Sequence, residues 1–598
     1  MSRFDLMRHG RRVALLGFIL IGFVALGSFV SIPLSSSAAL RSIRPALSSV
    51  FGADATFDAQ ASLRLLPQPK LELSNSNISK KSVFLFKSES VSVDLALFPL
   101  LSGQIEPIAV SALEPTIELS KKDIPDNRQT ALALLGGLIQ SSPSLASTPI
   151  RTISIRSGRL KLIGWNGPPL LDRIDGTVST DPRGRFDFDI LAPWKGEAVE
   201  IQARIDPEDT KTSLKPTRIS IKSAPATVEF NGTATATSAL QLAGEIDLKL
   251  ANLERVGAWL QIEPPLTFST PLSIKGHADL MTDRIGVRDA TVTLGKASLS
   301  GGIGLDVSGA RPLISGSLSA GDLDVTEFLS PVWPKQAQGW RTDPFLENLT
   351  PNQDFDVRLS AERVNLGIVR IANVAISVMA KDRTLDVTLA GSKLFQGAAK
   401  GKISVAPISS GYRASVHGTF DNIDIAQATL ALMDIRKIEG QASGQFDFDS
   451  SGASADTVMR NLSGSTTVSI TNGTLIGVNL SALLKRIETR PLAAIRDMKG
   501  SKTDFESAHV VATIANGAAT LTTADMNFPP NTMSIKGRVN IGQRTLALEG
   551  LATGPETENG SAPAILPYSV TGDFDDPVVT PDIGRILRRQ GNPTPSQN

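Results

Sequence analysis

The sequence predicts a mainly β chain, an antiparallel sheet with a few short helices and one N-terminal transmembrane helix. Three observations carry this. Apolar and polar residues alternate from about Leu63 onward, turn-forming pairs punctuate the alternating runs, and one stretch of twenty residues near the N-terminus, Val13 to Ile32, holds no charge. Alternation with period two gives a strand one apolar and one wet face.

The uncharged stretch comes first. At ~1.5 Å per residue, twenty residues reach about 30 Å, the thickness of a bilayer core. Arg3, Arg8, Arg11 and Arg12 precede it against a single Asp5, so the positive-inside rule keeps residues 1–12 in the cytoplasm and exports the remainder of the chain. A cleaved signal peptide is the competing reading, with Ser36, Ser37 and Ala38 as its small-residue site. The apolar run is longer than the ~7–15 residues usual for such a peptide, which favours an uncleaved anchor over 13–32.

The exported portion reads as strand after strand. Val91, Val93, Leu95 and Leu97 alternate with Ser92, Asp94 and Ala96. The pattern returns at Ile153 and Ile155, Phe186 to Ile190, Val228 and Phe230, Ile246 to Leu250, Leu385 to Leu389, and Phe446 and Phe448. Asn231-Gly232, Asn472-Gly473 and Asn516-Gly517 are hairpin-turn signals. Strand following strand, rather than strand alternating with helix, implies an antiparallel meander. Three helices are expected: one capped by Asp126 and carrying Ala131, Leu134, Leu135 and Leu138, one over Asp456–Leu462, and one from Asn479 with Leu480, Leu483, Leu484 and Ile487, stopped by Pro491. The residues after Asp582 read as a flexible tail. In it Arg585, Arg588 and Arg589 fit a solvated helical turn better than contact with an anionic surface.

Composition excludes much chemistry. The chain has 598 residues, 60 Lys+Arg against 59 Asp+Glu, four His and no Cys. A net charge of +1 lacks the basic excess of a nucleic-acid binder. Disulfides, Cys-ligated metals and thiol nucleophiles are impossible. His9, His277, His417 and His509 stand alone, and no G-x-S-x-G elbow, P-loop or zinc motif occurs. Carboxylates recur at i, i+2 (Asp187/Asp189, Asp354/Asp356, Asp447/Asp449), which on a strand places both on one face. Alternating with Phe, they read as the wet face of amphipathic strands. Asp573, Asp575 and Asp576 are the best calcium candidates, and Pro577 beside them favours a turn. No catalytic or metal residue, no cofactor and no enzymatic activity is expected.

In order along the chain, several stretches resemble the AsmA family of Gram-negative envelope proteins, related in style to TamB and other bridge-like lipid transfer proteins. They are Ala61 to Leu73; the strand and turn from Val91 to Ile105, which carry an LxPLLxG pattern; Leu113 to Leu119; Ile155 to Leu160 with Ile174 to Gly176; Ala226 to Ala234; Leu318 to Leu329; Leu394 to Gly397 with Gly401 to Val405; Leu462 to Ser465 with Asn472 to Leu480; and Val570 to Pro577. The order of these segments, more than any one of them, carries the resemblance.

The resemblance implies an elongated antiparallel β-sheet groove, U-shaped and open along one side. It would be divided into an N-terminal AsmA-like region over 33–400, a C-terminal AsmA-like domain over 401–582 and the tail 583–598. It implies a protein of the inner membrane and periplasm that supports outer-membrane lipid homeostasis by intermembrane phospholipid transfer. Its partners would be the inner membrane, phospholipid and inner- or outer-membrane proteins, with no nucleic acid. The alternative is a scaffold or regulator of outer-membrane protein assembly. Under the first reading the groove lining would include Val91, Val93, Leu95, Leu97, Val228, Phe230, Ile246, Leu248, Leu250, Leu385, Val387, Leu389, Ile403 and Val405.

Overall fold

The computed structural model describes residues 31–34, 56–119, 149–261, 270–326, 353–482 and 502–582. Short breaks fall at 67, 81–83, 103, 163–168, 210–213, 237–239, 282, 434–435, 478, 556–562, 564 and 575–576, and residues 340, 342 and 484 are also described. The chain divides into two compact units, Met1–Pro264 with Ser269–Ala290, and Pro265–Phe268 with Thr291–Asn598. Each is a ladder of strands paired largely in sequence order.

In the first unit β1 (Ser31–Leu34), β2 (Thr56–Arg64), β3 (Lys70–Lys80) and β4 (Phe84–Leu95) pair antiparallel in succession. One helical turn, α1 (Leu97–Leu101), comes after β4. β5 (Pro107–Leu113) and β6 (Thr116–Leu119) both pair antiparallel with β4. Glu114, with φ of 47°, and the fully buried Pro115 separate them. β7 (Thr152–Leu162) then runs parallel to β5 and β6. From there the ladder is antiparallel through β8 (Leu171–Thr180), β9 (Phe186–Trp194), β10 (Glu197–Ile205), β11 (Lys215–Lys222), β12 (Ala226–Ala236) and β13 (Leu240–Leu250). After α2 (Leu253–Leu260), β14 (Leu272–Leu280) pairs with β13. β15 (Arg284–Leu294) is divided between the units at Ala290 and Thr291.

In the second unit β16 (Ala297–Asp306) pairs antiparallel with β17 (Leu313–Asp324), and β17 pairs in parallel with β18 (Asp354–Leu366). Antiparallel pairing resumes through β19 (Val369–Lys381), β20 (Thr384–Leu394), β21 (Gly397–Ile408) and β22 (Gly411–Asp424). Next come α3 (Ile425–Met433), β23 (Ile438–Gly452), α4 (Ala455–Arg460) and β24 (Ser463–Ile476). β25 (Lys502–Ala515), β26 (Ala518–Phe528), β27 (Asn531–Asn540), β28 (Thr545–Thr553), β29 (Ile565–Asp573) and β30 (Pro577–Pro581) complete the ladder. The expected boundary at 400/401 falls inside β21, which is paired on both sides.

The mainly β expectation holds, and the purely antiparallel one is corrected at β5/β6–β7 and β17–β18. A parallel pair needs a connection of about a dozen residues or more. These pairs close over 120–151 and 325–353, the two longest intervals between successive described strands within the units.

The turn signals divide. Asn516-Gly517 makes the expected two-residue hairpin between β25 and β26, with φ of 48° and 71°. Asn231-Gly232 lies inside β12, where Gly232 faces Gly244 across the ladder and a Cβ would strike the backbone of Ala243. Asn472-Gly473 lies inside β24. Asn472 takes φ of 50° there, and a Cβ on Gly473 would collide with the Phe505 ring. In both places the glycine serves a close approach within the sheet, not a chain reversal.

Among the expected helices, α4 forms with a reciprocal cap between Ser454 and Thr457. Residues 480–482 and 484 are helical, and the Ala482 amide donates to Asn479 Oδ1 at 2.8 Å. The helix expected over 131–138 lies outside the described residues, as do residues 13–30 and 583–598. Ser31 and Ile32, expected to end the membrane span, instead belong to β1, paired with Arg64 and Leu63. Among the described residues no helix is long and apolar enough to cross a membrane.

Candidate functional site: apolar rows across the strands

Directly opposed residues on neighbouring strands point to the same side of a sheet. The registers therefore convert alternation along each strand into rows running across the strands. In the first unit one row passes from Ile32 through Leu63, Leu71, Val93, Val110 and Ile153. It continues through Val178, Phe188, Ala203, Ile219, Phe230 and Ile246. A second row joins Ala61, Leu73, Val91, Ala112 and Ile155, then Ile190, Ile201, Ile221, Val228, Leu248 and Ile274, with Gly176 between Ile155 and Ile190. Leu250 lies in a third row with Ala226 and Leu272.

The second unit repeats the device. Leu318, Leu359, Ile376 and Leu389 form one row, continued by Gly401, Gly418 and Phe446. Val357, Val378, Val387, Ile403, Val416 and Phe448 form the next. Phe355, Ala380, Leu385, Val405 and Ala414 form a third. A depression of about 630 Å³ lies over β20–β24, lined mostly by charged-face residues such as Lys400, Lys402, His417 and Asp447. In the apolar row Gly401 faces Gly418, with side-chain room left beside them. A Cβ on Gly418 would meet the Phe446 ring, which occupies that space.

The opposite faces are charged and internally paired. In the first unit Asp187 accepts from Arg204 at 2.6 Å, Glu245 faces His277 at 3.1 Å, and Asp247 sits 3.1 Å from Lys275 and 3.3 Å from Lys249. Partial burial pushes the Asp247 carboxyl up, and hydrogen bonds from the two lysines outweigh this and hold it below the usual carboxylate range. In the second unit Asp386 pairs with Lys402 at 3.3 Å and His417 with Asp447 at 2.6 Å. Asp187 and Asp447, each one of an i, i+2 pair, thus meet cross-strand cations or imidazoles, and Asp354 pairs with Arg311 at 2.8 Å. Asp573 ends β29, and Asp575 and Asp576 lie outside the described residues. Among the described residues no three carboxylates or imidazoles gather at metal-binding distance.

The sequence-named residues fall into place unevenly. Val93, Phe230 and Ile246 share one row, and Val91, Val228 and Leu248 share the next. Leu385, Val387 and Leu389 take three adjacent rows, with Val405 and Ile403 opposite the first two. Leu97 is the exception: β4 ends at Leu95, and Leu97 opens α1 with 52% of its surface exposed. Alternation ran two residues past the strand because a helical first turn tolerates Pro99 and needs no polar signal.

Two helices that alternation concealed carry cap signals. The Arg255 amide donates to Asn252 Oδ1 at 2.6 Å before α2, and the Gln427 amide to Asp424 Oδ1 at 3.1 Å at the start of α3. α2 places Trp259 against Trp194 of β9, with its indole N–H donating to the Trp194 carbonyl at 3.0 Å. In the second unit Leu480 and Leu484 cover the apolar side of β25–β29, packing with Phe505, Met526, Phe528, Met533 and Leu566.

A ladder whose strands offer an apolar and a charged face, joined in rows that run from strand to strand, defines a class of β-sheet protein with an extended apolar surface. Residues 333–524 match the model of the AsmA family. No curated protein and no solved structure matches the chain.

Proposed function

We propose that the chain is an inner-membrane-anchored periplasmic protein that carries phospholipid acyl chains along its apolar rows. In this way it supports outer-membrane lipid homeostasis by transfer between membranes, without catalysing a reaction. The observation that carries this reading is the half-exposed state of the second unit's rows. Val357, Leu359, Ile376, Val378, Leu385, Val387, Leu389 and Val416 all retain contact with water, and Ile403 keeps 44% of its surface exposed.

A solvated acyl chain costs about 0.8 kcal/mol for every CH₂ left in water. Rows that continue from strand to strand offer that chain a similar surface at each ~4.8 Å step, so it can advance without desorbing. Aromatic residues make up 5% of the sequence. The surface is therefore mainly aliphatic, a lining on which a lipid slides more readily than on aromatic residues. The charged face, already paired within itself, meets water.

The direct test reconstitutes the full chain into donor vesicles and tracks phospholipid arriving in acceptor vesicles. Transfer above the protein-free rate, abolished by Val387→Asp in a folded protein, is the expected result. Equal rates with wild type and variant would overturn it.

The scaffold reading has one observation of its own. β30 ends the ladder paired only with β29 among the described residues, and its Val578 and Val579 are exposed, an edge to which another chain can add a strand. Protein crosslinks at Val578, with no lipid on the rows, would favour that reading.

A further inference from the structure

Among the described residues of the first unit, α1 carries an apolar surface that the fold does not use. α1 turns Leu100 inward, where with Ile105 it packs on the cluster containing Leu71, Val93 and Leu95. Its other large residues face out: Leu97 is 52%, Leu101 77% and Phe98 83% exposed. Leu65, just beyond β2, is exposed as well. Register places these residues together. Ser31 pairs with Arg64, Arg64 with Lys70, and Lys70 with Asp94, so the start of β1 and the ends of β2 and β4 lie at one end of the strands. Three inter-strand steps of ~4.8 Å, about 14 Å in all, separate β1 from β4. The charge-free run of the sequence leads straight into β1, which begins at Ser31.

We propose that Leu65, Leu97, Phe98 and Leu101 form a rim that seats in the interfacial zone of a phospholipid bilayer. The bilayer is the one that residues 13–30 enter, so the inference rests on the membrane-anchor reading. The occupant is lipid rather than protein because of where the chain leads: the exposed apolar residues stand at the strand end from which an uncharged, bilayer-length segment departs. Seated this way, the rim holds the first strands against the leaflet. An acyl chain can then leave the leaflet where the strands meet it, at the exposed Ile32 and Leu65, instead of entering water away from the protein. A short apolar turn at the membrane boundary suits this placement, with aromatic and leucine side chains buried to headgroup depth.

The absence of cysteine makes the test clean. Full-length chains carrying Phe98→Cys, or Glu229→Cys on the charged face as control, are labelled with an environment-sensitive fluorophore. They are reconstituted into phosphatidylethanolamine–phosphatidylglycerol vesicles containing doxyl-labelled lipid. The expected result is blue-shifted emission and about threefold stronger quenching at 98 than at 229. The double variant Phe98→Ser, Leu101→Ser should keep its melting temperature and its flotation with vesicles while lipid transfer falls about tenfold. If position 98 is as unquenched as 229 while the chain floats and resists alkaline extraction, the rim is overturned and the anchor stands. If the chain does not float, both fall. Shielding of position 98 in native envelope membranes, absent in pure lipid vesicles, would assign the patch to a protein and overturn the proposal.

Discussion

Strands β2–β5 of the first unit and β18–β22 of the second obey the same rule of alternation, and water treats them differently. In β2–β5 the apolar side chains are sealed: Leu71 is 0% and Val93 2% exposed, with Leu73, Val91 and Leu95 also buried. In β18–β22 the rows through Leu359 and Val357 stay half-exposed, up to 44% at Ile403, while Ala380 and Val405 of the third row are buried. Part of the sealing is visible. Leu100 and Ile105, just after β4, fold onto the first set, whereas α3, after β22, packs Ile425 against the separate cluster around Leu480 and Phe505. An apolar face is thus used in two ways, as core where other residues fold onto it and as available surface where they do not.

Charges break the comparison most sharply. Val93→Asp buries an unpaired carboxylate among Leu71 and Val110 and should cost several kcal/mol, enough to abolish cooperative unfolding of the first unit. Val387→Asp, half-exposed, should change stability by about 1 kcal/mol or less and act on lipid instead. Thermal unfolding monitored by circular dichroism separates the two, and a Val387→Asp protein as unfolded as Val93→Asp would make the half-exposed rows ordinary core. Truncation comes next. Leu71→Ala should cost about 2–4 kcal/mol and Ile403→Ala under about 1 kcal/mol in urea titrations. Equal costs would erase the distinction.

Glycines probe the fine structure of the rows. Gly473→Ala forces its Cβ against the buried Phe505 and the Glu439 carbonyl, and should cost about 1–3 kcal/mol. Gly418→Ala displaces only the half-exposed Phe446 ring and should cost less in the same titration. The smallest effect belongs to the charged face. The Asp247 carboxyl, held below its usual range by Lys275 and Lys249, contributes stability above its unfolded value near pH 4 and loses it as pH falls through the folded value. Asp247→Asn should therefore lower stability by about 0.5 kcal/mol at pH 7 and by nothing at pH 2. A constant difference at both values would remove the electrostatic explanation.

Much of the ladder was legible because alternation is a local code: Val228 and Phe230, Leu385 to Leu389, and Phe446 and Phe448 each declare a strand and its apolar side. The code does not say which edge a strand joins. Parallel pairing at β7 and β18 was hidden for that reason, with only the long intervals over 120–151 and 325–353 as a trace. Nor does it say what covers a face. Val93 and Val387 look alike in sequence, and their difference arises from Leu100 and Ile105, whose position depends on α1. Asn231-Gly232 and Asn472-Gly473 misled because the dipeptide reports only a permissive backbone. A sheet uses that permissiveness for close approach beneath Phe230 and Phe505 as readily as for a turn.

The central claim is that one side of β20, and only one, meets lipid. Photoreactive residues placed singly at 385, 386, 387, 388 and 389 of the full chain in native membranes, with lipid analysis of the adducts, test it directly. Adducts with phospholipid at 385, 387 and 389, and none at 386 and 388, are the expected result. Uniform labelling, or no lipid at the odd positions, would contradict it.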